Sequence, residues 1–130
     1  MFVRFEFDAS KQGLRAVLKD WEEQTLGVFW ENPGVEFTSR DVYVRVNERL
    51  EDGSISRASI INFLERIASA GVLQRRETTG KGGHRGIYSQ AMNESEFRTF
   101  IAETLIESLI RSFPEETKKT LKHSVSIQNI

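Results

Sequence analysis

The sequence predicts a mainly α-helical fold with one small β-hairpin, and three observations carry that prediction. Apolar residues recur at helical spacing in three stretches between residues 10 and 70. A glycine-rich segment between two short strand-like runs follows at 72–89, and two more helices are expected to start at Asn93 and at Pro114. Two helices joined by a tight glycine turn and followed by a hairpin make a winged helix-turn-helix, here with appended C-terminal helices.

The N-terminal region predicts an arm and a first helix. Residues 2–8 alternate apolar and charged side chains, which is typical of a short strand or an extended arm. Ser10 can cap a helix that continues to about Glu31. The run Asn32-Pro33-Gly34 then stops it.

The second helix has a clear start signal. Thr38 followed by Asp41 resembles a capping box, with Asp in place of the usual Glu or Gln. This helix runs to about Leu50, and the turn Glu51-Asp52-Gly53 ends it. A short strand at residues 36–38 would commonly pair with the hairpin of such a fold.

The third helix starts at Ser54 or Ser56, either of which can cap it, and runs to Ala70. Gly71 is placed to end it in a left-handed conformation. The hairpin follows, and we expect strands at 72–77 and 87–89 with a long basic tip at 78–86.

The third helix is the expected recognition helix. Its apolar stripe leaves a small, polar outward face near the N-terminal end, which suits close approach to base edges. Asn62 could pair with adenine, Arg57 could contact guanine or a phosphate, and Ile61 could pack on a thymine methyl. An ordinary solvated helix face would show similar residues. The predicted contacts are Ser56, Arg57, Ala58, Ser59, Ile61, Asn62 and Arg66.

The hairpin and the start of the second helix are expected to bind phosphates. Glycines at the hairpin tip permit close backbone approach, and several cationic or donor side chains flank them. The free N–H groups at a helix N-terminus can also hold a phosphate, although Ser39 could equally be a residue that only fills the cap region. A hairpin tip that is merely solubilised by charge is the alternative. The predicted wing contacts are Arg75, Arg76, Lys81, His84 and Arg85, and those at the helix start are Ser39 and Arg40.

The C-terminal region predicts a dimer interface. Asn93 and Glu96 form a capping box for a fourth helix to Phe113, and Pro114 can start a short fifth helix. The fourth helix carries two adjacent apolar stripes, and an exposed second stripe usually marks an interface. The alternative is that both stripes are buried within the chain. We therefore expect a DNA-binding domain at 1–92, with an arm at 1–10, and a dimerisation region at 93–130. The predicted interface residues are Phe97, Phe100, Ile101, Leu105, Ile106, Leu109, Ile110 and Phe113.

Composition excludes several classes of function. The 130-residue chain has net charge −1, no cysteine and two histidines, which excludes disulfides and thiol chemistry. We expect no enzyme, no cofactor and no metal site, since no ligand cluster or catalytic carboxylate pair is recognisable. No apolar run approaches the roughly 20 residues of a membrane span, and the N-terminus lacks a secretory pattern, so we expect a cytoplasmic protein.

Charge is unevenly distributed along the chain. Residues 54–90 carry 6 Lys/Arg and 2 Asp/Glu, net +4, whereas residues 1–53 carry 7 and 11, net −4. A basic middle between acidic flanks indicates one localised anion-binding surface, unless the clustering arose by chance.

The residues also resemble a known family. The segment Ser59–Ile67 is similar to the recognition-helix pattern T-V-x-T-x-L-x-R-L of the penicillinase repressors (BlaI/MecI/CopY), and Gly71 to Tyr88 resembles their wing. Phe29-Trp30 matches an aromatic position near the end of their first helix. The resemblance implies a homodimeric repressor on a palindromic double-stranded DNA operator, with dimerisation through the C-terminal helices. The cysteine metal hook of the copper repressors is absent.

Two functions stay open at this point. The first is a DNA-binding regulator, with the choice between repressor and activator and the effector left open. The second is a winged-helix module for protein–protein interaction that does not touch DNA, which the acidic flanks and Glu65 favour.

Overall fold

The computed structural model describes residues 5–80 and 83–128, without the side chains of His84 and of residues 125–128. The chain divides into two compact units, residues 1–94 and 95–130. The separate roles expected of the two regions, DNA binding and dimerisation, stay predictions. The second unit consists of α4 (Glu94–Ser112), whose first residue falls in the first unit, and α5 (Pro114–Gln128). The first unit contains, in order, a short 3-10 helix (Gly13–Ala16), α1 (Asp20–Trp30), β1 (Phe37–Thr38), α2 (Ser39–Arg49), α3 (Arg57–Ser69), β2 (Leu73–Gly80) and β3 (Gly83–Gln90).

The first helix starts later than the sequence predicts. Ser10 caps no helix, because its backbone N–H and its hydroxyl both donate to the Asp8 carboxylate, at 3.0 and 2.6 Å. Gly13 has a φ of +65°, which interrupts any continuous helix. The α1 helix begins only at Asp20, where the Lys19 backbone N–H donates to the Glu22 carboxylate at 2.8 Å.

The helix-turn-helix consists of α2 and α3. The predicted capping box is confirmed: the Asp41 backbone N–H donates to Thr38 Oγ1 at 3.1 Å, and the Thr38 N–H donates to the Asp41 carboxylate at 3.0 Å. Asn47 fixes the turn between the helices, because its amide accepts from the Ile55 N–H at 2.8 Å and donates to the Ile55 carbonyl at 3.2 Å. Of the two predicted caps of α3, the structure uses Ser56.

The three strands form an antiparallel sheet in the order β1-β3-β2. The expected pairing of residues 36–38 with the hairpin is present, with Phe37 opposite Tyr88. The hairpin differs from expectation, because pairing continues to Gly80 opposite Gly83 and most of the expected long tip belongs to the two paired strands. The wing is therefore two strands of eight residues each.

The core of the first unit joins α1, α2, α3 and the base of the sheet. Edge-to-face aromatic contacts link α1 to α3 through Trp21 and Phe63, at 5.4 Å between centroids, and α1 to β1 through Phe29 and Phe37, at 5.5 Å. Packing of this kind holds the starts of α2 and α3 beside the hairpin. The most completely buried side chains of this unit include Leu26, Val28, Phe29, Val42, Val46, Ile60, Leu64, Ile67 and Val72.

Together these elements form a winged helix-turn-helix followed by two C-terminal helices, as the sequence predicts. The fifth helix is longer than expected, with 15 residues. Within the described part of the chain, no helix is long and apolar enough to cross a bilayer.

Candidate nucleic-acid interface

One groove of about 640 Å³ brings together the start of α2, the outward face of α3 and the hairpin. Three separate stretches of sequence, each predicted to contact DNA, therefore meet at one surface. The residues that line this groove are Thr38, Ser39, Arg40, Asp41, Arg57, Ile61, Glu65, Arg75, Arg85, Gly86 and Tyr88.

Three arginines of the groove keep their charge available. Arg40, Arg57 and Arg85 are exposed, and none of them forms an ion pair or hydrogen bond with another residue that the structure describes. Ser39, the first residue of α2, is half-buried beside Arg40. The groove thus presents unpaired guanidinium groups next to a helix N-terminus, both of which attract anions.

The first turns of α3 present small and polar groups. Arg57, Ala58 and Asn62 are exposed, and the Asn62 amide has no hydrogen-bond partner among the described residues. Ser56 has a structural task, because its hydroxyl accepts from the Ser59 N–H at 3.1 Å and donates to the Ser59 hydroxyl at 3.0 Å. The half-buried Ile61 lines the groove.

Arg66 lies apart from the groove. Its guanidinium contacts the Glu22 carboxylate at 2.9 Å and stacks over the Phe63 ring at 5.2 Å. The Glu22 side chain is only 9% exposed, so this pair faces α1. The structure therefore does not bring Arg66 together with the other predicted recognition residues.

The wing arginines differ in their surroundings. Arg75 and Arg76 are consecutive in β2, so their side chains leave opposite faces of the sheet. Arg76 makes two hydrogen bonds to the Glu36 carboxylate, at 2.5 and 3.0 Å, which lower the pKa of Glu36. Arg85 lines the groove, whereas Lys81 and the side chain of His84 lie outside the described residues.

A cluster of Glu65, Arg75 and Tyr88 joins α3 to the hairpin. The buried Tyr88 hydroxyl donates to Glu65 Oε1 at 2.5 Å, and Arg75 Nε donates to the same oxygen at 3.0 Å. Burial and the bond to Glu65 raise the pKa of Tyr88. Hydrogen bonds to Tyr88 and Glu65 raise the pKa of Arg75, which also contacts Glu77 at 3.3 Å.

Gly86 makes room for this cluster. A Cβ at this position would lie 2.8 Å from the Tyr88 hydroxyl and 3.1 Å from Arg75 Nε. The sequence did not predict this cluster, and Glu65 stood out there only as an acid that favours a protein–protein module. Only the strand register, which places Arg75 opposite Tyr88, shows that these two residues lie close enough to share one carboxylate.

The predicted dimer residues, which lie on α4 except for Phe113 directly after it, separate into a more buried and a more exposed group. Phe97 and Ile101 are buried, and Phe100, Leu105 and Ile106 are half-buried. Leu109, Ile110 and Phe113 are 48%, 37% and 58% exposed. Within the second unit, an apolar groove of about 300 Å³ lies between α4 and α5, beside Leu109, Phe113 and Leu121.

Comparisons with known proteins support the fold. No family model matches the chain, and no curated protein matches it. A solved structure described as a possible transcriptional regulator from Methanosarcina mazei Go1 is similar, with a TM-score of 0.56 and 14% identity over 82% of this chain and 78% of that one. The Bacillus subtilis PadR structure, in complex with operator DNA, matches with a TM-score of 0.47 and 16% identity over 85% and 73%.

At 14% identity, the likeness to the Methanosarcina mazei structure shows a shared fold and nothing finer. The resemblance to the penicillinase repressors therefore stays a prediction.

Proposed function

We propose that this chain is a sequence-specific double-stranded DNA-binding regulator of transcription, acting as a homodimeric repressor on a palindromic operator. The observation that supports it best is the shared groove, where the first turns of α3, the start of α2 and the hairpin surround three arginines that have no partner among the described residues. In this arrangement α3 enters the major groove and the hairpin follows the phosphate backbone.

The chemistry of each side chain determines whether it contacts a phosphate or a base. Arg40, Arg57 and Arg85 neutralise phosphates, and the Ser39 N-terminus of α2 assists them. Asn62, whose amide is exposed, reads a base edge. Each good base contact of this kind discriminates by roughly 1–3 kcal/mol.

Homodimerisation uses the second unit. Leu109 and Ile110 on α4, Phe113 directly after it and Leu121 on α5 are four of the exposed large apolar side chains of the described chain. Grouped apolar exposure of this kind marks an interface. Two recognition helices related by a dyad would then meet major grooves about 34 Å apart.

Selection of bound fragments from random double-stranded DNA tests the proposal. We expect enriched fragments with two inverted half-sites, about 10–10.5 base pairs between their centres. Light scattering of the wild type and of Phe113→Glu tests the dimer, and we expect the variant to be monomeric. A wild-type monomer, or enrichment of asymmetric sites, would contradict this part of the proposal.

A protein–protein module is the second candidate, and one observation favours it. Arg75 and Arg76 are both neutralised by carboxylates, and Glu65 and Asp41 lie in the groove. Such a surface also suits a partner protein with mixed charge. Absence of any binding to bulk DNA at low salt and micromolar protein would favour this candidate.

A further inference from the structure

We propose that Glu65 is a positioning residue, which holds the wing at a fixed orientation to the recognition helix and thereby strengthens DNA binding. This inference rests on the proposed function of the groove. It assigns a favourable role to a carboxylate that lies where phosphates would approach.

The geometry places one oxygen at the junction of three elements. Glu65 Oε1 on α3 accepts from Tyr88 on β3 and from Arg75 on β2, at 2.5 and 3.0 Å. Tyr88 and Arg75 are directly opposite one another in the ladder. A single carboxylate therefore ties both strands of the hairpin to the recognition helix.

The Tyr88 end of this tie is rigid. Tyr88 is only 2% exposed and also pairs with Phe37 of β1, so it sits at the centre of the sheet. A movement of Tyr88 relative to α3 would therefore move the whole sheet. Farther out, most residues of β2 after Leu73 are exposed, so apolar burial contributes little to holding the wing.

A purely electrostatic view of Glu65 predicts the opposite effect. Its side chain is 45% exposed in a groove whose other arginines have no partner in the described part of the chain, so it would repel phosphates and keep Arg75 from contacting them. Removing the carboxylate would then strengthen binding and raise the salt dependence by about 0.9 for one gained phosphate contact. The sign of the change in affinity separates the two views.

Three variants decide between them: Glu65→Ala, Glu65→Gln and the control Glu77→Ala. Gln keeps an oxygen that can accept from both Arg75 and Tyr88, whereas Ala does not. Glu77 is also an acid that contacts Arg75, at 3.3 Å, but it lies on the hairpin itself and the contact does not reach α3.

We expect Glu65→Ala to bind a selected DNA duplex about fivefold more weakly or worse, measured by fluorescence anisotropy between 50 and 200 mM salt. Glu65→Gln should bind at least as tightly as the wild type, and Glu77→Ala should not weaken binding. Tighter binding by Glu65→Ala, or equal weakening by Glu65→Gln, would overturn the proposal.

Hydrogen exchange of the free protein supplies a readout that does not need DNA. We expect faster exchange of the hairpin amides in Glu65→Ala, with α1 and α2 unchanged and recovery in Glu65→Gln. Unchanged hairpin exchange in Glu65→Ala would refute positioning even if the wild type binds no DNA. Failure of the wild type to bind any duplex would instead refute the proposed function of the groove.

Discussion

Arg85 and Arg76 offer a matched test of the proposed DNA contact, since both are exposed arginines of the same hairpin. Arg85 lines the groove without an ion pair among the described residues. Arg76 lies on the other face of β2 and is held by the Glu36 carboxylate at 2.5 and 3.0 Å. We expect Arg85→Ala to reduce the salt dependence of DNA binding and Arg76→Ala to leave it unchanged.

The size of the effect follows from counterion release. Loss of one phosphate contact lowers the slope of log K against log salt by about 0.9. Over a fourfold rise in salt, from 50 to 200 mM, that difference amounts to roughly 3.5-fold in affinity. The wild type should lose about that much more affinity than Arg85→Ala across this range.

Fluorescence anisotropy titrations of one labelled duplex at four salt concentrations measure these slopes. The double variant Glu36→Gln/Arg76→Gln removes the ion pair without changing net charge, and its slope should equal that of the wild type. If Arg76→Ala lowered the slope as much as Arg85→Ala does, the assignment of the groove as the DNA-facing surface would be wrong.

Three further predictions concern individual side chains. Gly86→Ala should lower the free energy of unfolding by about 1–3 kcal/mol in urea, since its Cβ would meet Tyr88 at 2.8 Å, whereas Gly80→Ala should lower it less because nothing lies within 4 Å. Thr38→Ala should lower the free energy of unfolding by about 1 kcal/mol, because it removes the side-chain cap of α2, and an unchanged midpoint of urea unfolding would contradict that role. Asn62→Ala should broaden the selected DNA sequence with an unchanged salt slope, and an unchanged consensus would rule out a base contact.

The sequence predicts the elements whose signals are local. Thr38 and Asp41 are three residues apart, so their capping box can be read from the chain and the structure confirms it. The stripe of α3 likewise identifies its buried face, because a helix repeats every 3.6 residues. Gly71 follows the C-terminal end of α3 in the expected left-handed conformation, with a φ of +84°.

The site is less predictable, because partners far apart in sequence determine its charges. Arg66 pairs with a residue 44 positions away, and Arg76 with one 40 positions away. No local pattern specifies such pairs, so arginines that look equivalent in the sequence differ in what they can bind. Strand register also depends on partners that are distant in sequence, so the sequence predicted shorter strands than those that pair in the structure.

The two hydrogen bonds between the Asn47 amide and the Ile55 backbone allow the connection between α2 and α3 to hold the helices at a fixed angle and still vary in sequence. Because the amide belongs to α2 and contacts main-chain atoms, the angle between the paired helices does not depend on side chains in the exposed stretch 51–54. Apart from Gly53, whose φ of +73° disfavours other residues, those positions can therefore vary through evolution or accept a label in the laboratory while the angle between α2 and α3 is kept.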